Sequence, residues 1–78
     1  MTNIERYNSL FCKVFQVNES DLPSLAIKQT PLWDSVGHMT LIAAIEDEFD
    51  ILIEPEDMME ITSYTTGKDV LQKYNVIL

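Results

Sequence analysis

The chain has 78 residues, 46 % of them apolar, with two glycines, three prolines, one cysteine and a net charge of −8. That length holds one core and buries only roughly 60–65 % of the unfolded surface, while the apolar share argues against intrinsic disorder. The lone thiol, Cys12, rules out an intrachain disulfide, and with a single histidine it cannot assemble a cysteine-based zinc or iron–sulfur site.

Helical spacing in several segments and the scarcity of turn residues predict one small all-α domain over residues 1–78. From Ile4 to Phe15 the apolar positions 4, 7, 11, 14 and 15 form one helical stripe, with Thr2 or Asn3 as the cap. Cys12 flanks that stripe and reads as structural. Asn18 and Ser20 open a connection reaching Trp33, in which Pro23 and Pro31 forbid a continuous helix. Connections longer than about 12–15 residues are uncommon and often functional. Leu22, Leu25, Ile27, Leu32 and Trp33 are expected to fasten this one to the core.

A second helix is expected from Asp34–Ser35 to about Asp50. At 100° per residue Leu41, Ile42, Ile45 and Phe49 share its core face. Met39, Ala43, Glu46 and Asp47 lie opposite, apolar at the start and acidic at the end. Pro55 suits the first turn of a short third helix, roughly Pro55–Ile61, whose positive end favours Glu56 and Asp57. Met58 and Met59 are expected to form its core and rim. Thr65 or Thr66 can start a fourth helix, with Val70, Leu71 and Tyr74 inward. The order is helix, long loop, helix, short helix, helix.

The charge is unevenly spread. No lysine or arginine occurs from Gln29 through Gly67, a stretch holding nine acidic residues: Asp34, Glu46, Asp47, Glu48, Asp50, Glu54, Glu56, Asp57 and Glu60. Such a surface repels a phosphate backbone, which argues against nucleic-acid binding. It either keeps the protein soluble or steers partners that carry a basic patch. The run Glu46–Asp50 lacks the spacing and turn glycine of an EF-hand, so no specific metal site is expected. The chain has neither an apolar run of about 20 residues, as a bilayer span needs, nor the charged and apolar regions of a secretory signal. A cytoplasmic monomer, without membrane attachment, is the expectation.

Ser35 follows Asp34 at a helix start, after a long loop. Read alone, the pair is a helix cap. The surrounding segment, Trp33-Asp34-Ser35-Val36-Gly37-His38-Met39, resembles the attachment signature of the acyl carrier protein family. Ile42-Ala43-Ala44-Ile45-Glu46-Asp47-Glu48-Phe49-Asp50-Ile51 looks like that family's apolar run, acidic cluster and phenylalanine. Ile53-Glu54-Pro55-Glu56-Asp57 and Tyr64-Thr65-Thr66-Gly67-Lys68-Asp69-Val70 are similar to the starts of its short third and last helices. The likeness spans essentially the whole chain.

The resemblance implies a four-helix bundle with a long loop between helices 1 and 2 and a short third helix. It also implies a phosphoprotein that is not an enzyme. A phosphopantetheinyl transferase would transfer 4'-phosphopantetheine from coenzyme A to Ser35, beside Asp34, and the arm would hold an acyl or aminoacyl group as a thioester. Loading and acyl-transferring enzymes with basic patches would dock on Met39, Ala43, Glu46 and Asp47. The chain runs from Met1 to just past the fourth helix, as a discrete subunit would.

Val36, Gly37 and Thr40 depart from the pattern common in fatty-acid synthesis, while Trp33 and His38 resemble carriers of specialised pathways. His38, three residues from Ser35, is either a base or phosphate contact or a histidine packed beneath the loop. Met39 is either a partner contact or packing. The reading from another class is an unmodified small acidic adaptor or regulatory protein that binds a basic partner through its second helix.

Overall fold

A computed structural model describes residues 2–78. Thr2 starts α1 (Asn3–Phe15) through a reciprocal capping box with Glu5. Tyr7, Phe11 and Phe15, four residues apart, bury one face of this helix. Gln16 then turns left-handed, with φ of 55°, and ends it. In the connection that follows, Glu19–Ser24 forms a 3-10 helix that buries Leu22 and accommodates Pro23.

The second α-helix, α2, spans Ser35–Phe49 between an Asp34 cap and a left-handed Asp50. Next come α3 (Pro55–Glu60), with its proline in the first turn, and α4 (Tyr64–Lys73). Four α-helices and one 3-10 helix make the described residues all-helical, apart from one isolated backbone bridge between Ala26 and Ser63. None of these helices is long and apolar enough to cross a membrane.

Packing follows from the apolar faces. The α1 helix lies on α2 and the 3-10 helix, while α4 lies on α3 and the 3-10 helix. An aromatic cluster fills the centre. Trp33 stacks on Phe15 with centroids 4.5 Å apart and meets Phe11 edge-on at 5.7 Å, and Tyr7 bridges Phe11 and Tyr64. The Tyr7 hydroxyl donates to the Tyr64 carbonyl at 2.6 Å, and burial pushes that phenol far above its usual range. Gly67 passes directly over this oxygen: an added Cβ would lie 2.2 Å from it.

Backbone hydrogen bonds anchor the long connection. Ile27 N–H donates to the Thr62 carbonyl at 2.8 Å, and Tyr64 N–H donates to the Leu25 carbonyl at 3.0 Å. Together these bonds tie the loop to the residues that enter α4.

Several expectations are corrected. Leu32 is exposed rather than buried, because the chain turns there to send Trp33 inward. Phe49 is only half-buried; Arg6, bonded to the Glu48 carboxylate at 2.6 Å, lies over its ring at 5.0 Å. Met58, half-buried against the core, and Met59, exposed, take the core and rim positions expected of them. The α4 helix begins at Tyr64, capped by Ser63 rather than Thr65, and Thr66 serves as the reciprocal member of its capping box. Tyr74 is half-buried because its hydroxyl works between backbone and carboxylate, accepting from Glu54 N–H at 2.9 Å and donating to Asp57. That donation, followed by Lys73, holds the Asp57 carboxyl below the usual carboxylate range.

Candidate functional site

At the start of α2 the Asp34 carboxylate accepts the Gly37 N–H at 2.8 Å, meeting one of the orphan donors of the first turn. Ser35 is the first helical residue and its side chain is exposed. The long connection crosses this turn closely. A Cβ on Gly37 would lie 1.8 Å from the Leu32 carbonyl oxygen, so only glycine lets the two backbones approach this far.

His38 has its ring nitrogens bonded to partners other than the serine. Its Nδ1 accepts the Trp33 indole N–H at 3.1 Å, and its Nε2 stands 2.8 Å from the Met58 carbonyl. A carbonyl only accepts, so this network assigns the proton to Nε2. Both ring nitrogens are therefore engaged in joining the connection, α2 and α3, and neither serves as a base for Ser35. An enzyme acting on this hydroxyl would have to bring its own base.

Around Ser35 the surface is apolar and open. Val36 is 75 % exposed and Met39 55 %. A cleft of about 280 Å³ opens beside the serine, lined by Ile27, Lys28, Trp33, Asp34, Ser35, His38 and Met39. Lys28 reaches it because its backbone adopts φ of 69° and its N–H donates to the Trp33 carbonyl at 3.2 Å. Sequence reasoning gave Lys28 no role, since nothing local signals that the chain folds back there.

Three of the four residues expected on the docking face, Met39, Ala43 and Asp47, are exposed along α2. Glu46 departs from the expectation. It is half-buried, and its carboxylate accepts the Ile53 N–H at 2.8 Å while its backbone carbonyl accepts from Ile51. Glu46 thus holds the turn between α2 and α3, and its charge is only partly available to a partner.

Ala43, Glu46, Asp47, Asp50, Ile51 and Leu52 line a shallow acidic groove beyond this face. Leu52, 84 % exposed, was missed by sequence reasoning. Ile51, Leu52 and Ile53 are all apolar, so no alternation in the sequence marks which of the three faces outward; the structure buries Ile53 and turns Leu52 out. No protein-family model, curated protein or solved structure matches the chain.

Proposed function

We propose that this chain is a carrier protein of the acyl or peptidyl type, whose working residue is Ser35. The observation that carries the reading is a serine held exposed in the first turn of α2 by its Asp34 cap, at the mouth of an open cleft. On this reading the four α-helices are the carrier bundle and residues 16–34 its long loop.

The Ser35 hydroxyl attacks the pyrophosphate of coenzyme A. A new phosphodiester forms at Oγ, adenosine bisphosphate leaves, and the hydroxyl proton passes to a base of the transferase. The modified Ser35 places this phosphate at a helix N-terminus, where the dipole favours an anion. When bound, the 4'-phosphopantetheine arm supplies a thiol that carries an acyl or aminoacyl group as a thioester. The protein is then a substrate and shuttle, acting as a cytoplasmic monomer among its transferase and its loading enzymes.

Incubation with a promiscuous phosphopantetheinyl transferase, magnesium and coenzyme A is expected to add one phosphopantetheinyl group by mass. Ser35→Ala is expected to abolish the addition while circular dichroism stays unchanged. Modification that persists in Ser35→Ala, or that fails with several transferases, sinks the carrier reading and leaves the unmodified acidic adaptor.

The docking face gives a second test. Asp47 is exposed, and no hydrogen bond or ion pair ties its carboxylate among the described residues, so charge reversal there probes recognition without disturbing the fold. Asp47→Lys is expected to slow modification at low salt and to flatten its salt dependence. Its stability should change by less than about 0.5 kcal/mol. Wild-type rates at both low and high salt would remove this face from transferase docking. Glu46 is unsuitable for that test, because replacing it frees the Ile53 N–H.

A further inference from the structure

The cleft beside Ser35 has a division of chemistry that matches a group attached to that serine. Lys28 is the one lysine or arginine lining it, alongside one carboxylate, Asp34, and it pairs with no carboxylate among the described residues. The inner wall has no hydrogen-bonding capacity to spare, since the Trp33 indole N–H and both His38 nitrogens are already engaged. Trp33 is fully buried behind the wall, so half-buried Ile27 and exposed Met39 are the surfaces a ligand meets. A cation at the rim and a hydrocarbon interior select an anionic head followed by an apolar segment.

From this we infer that Lys28 pairs with the phosphodiester on Ser35, and that the branched hydrocarbon next to that phosphate lies in the cleft against Ile27 and Met39. The inference rests on the carrier reading. The attachment atom belongs to a residue lining the cleft, so the phosphate starts at its rim. It starts there beside the Asp34 carboxylate, which is committed to the Gly37 N–H and repels a second anion. Lys28 offsets that repulsion. At about 280 Å³ the cleft is smaller than the roughly 300–1,000 Å³ pockets that enclose whole ligands. It therefore takes the proximal part of the arm and leaves the amides and the thiol in solvent, where partner enzymes reach them.

The test compares apo and modified forms of the wild type, Lys28→Gln and Lys28→Arg. The mass gain on Ser35 is checked first, and its absence in the wild type overturns the carrier reading itself. With modification achieved, the three apo forms are expected to melt together, because Lys28 is exposed. Modification is expected to raise the melting temperature by a few degrees more in the wild type and Lys28→Arg than in Lys28→Gln. In modified wild type, nuclear Overhauser contacts are expected from the arm's geminal methyl groups to the methyl groups of Ile27 and Met39. Absence of those contacts, or a modification-dependent shift in Lys28→Gln equal to that of the wild type, overturns the inference while leaving Ser35 as the attachment point.

Discussion

Trp33→Ala is expected to remove a large part of the protein's stability, about 3–5 kcal/mol. The indole is fully buried, stacks on Phe15, meets Phe11 edge-on and donates to His38. Truncating a large core aromatic to alanine costs about 3–5 kcal/mol. A chain of 78 residues has a total stability of roughly 4–12 kcal/mol. The loss is therefore about a quarter of that margin at least and all of it at most, and no local relaxation recovers it, because the ring joins the long connection to both α1 and α2.

Trp33→Phe separates the contributions. It keeps a ring against Phe15 but leaves His38 Nδ1 without its donor, at a cost of about 1–3 kcal/mol. Urea titration followed by circular dichroism measures both variants. A cooperative Trp33→Ala transition within 1 kcal/mol of wild type would show that the aromatic cluster does not hold the connection.

Gly37→Ala is expected to destabilise the protein, against the intrinsic helix preference. Alanine inside a helix is favoured over glycine by about 0.8–1 kcal/mol. Here the new methyl would lie 1.8 Å from the Leu32 carbonyl oxygen and 2.9 Å from its carbon. Those atoms are backbone and have no rotamer to escape into, so the Leu32–Trp33 turn must move and carry Trp33 with it. Overpacking costs about 1–3 kcal/mol even where side chains can adjust, so the clash outweighs the propensity gain. The melting temperature should fall by several degrees, since 1 kcal/mol shifts a domain of this size by about 4–8 °C. The transferase rate should fall with it, because the same turn presents Ser35. A melting temperature at or above that of the wild type would refute the close backbone crossing.

The helices themselves were legible in the sequence. The stripe at Ile4, Tyr7, Phe11 and Phe15, the threonine ahead of it, the Asp34–Ser35 start and the proline opening α3 are signals confined to neighbouring turns. Such signals depend on backbone geometry over three or four residues, which is the same wherever the segment ends up. The position of Ser35 at a helix start was legible for the same reason, while its exposure was not.

Only the tertiary structure decided what lies around that serine. The path of the connection depends on Ile27 and Tyr64 exchanging backbone bonds with Thr62 and Leu25, some 35–40 positions apart. That path turns Leu32 out and Trp33 in, and it brings Lys28 to the cleft. His38 could have faced Ser35 or the core until Trp33 and Met58 took its two nitrogens. Glu46, spaced like the exposed Asp47, turned instead to the Ile53 N–H, a donor that the α2–α3 turn left without a backbone partner. A polar side chain goes to whichever unsatisfied group the fold sets within reach, because a buried donor without a partner costs about 1–3 kcal/mol. Which donors stand unsatisfied is known only once distant segments have met.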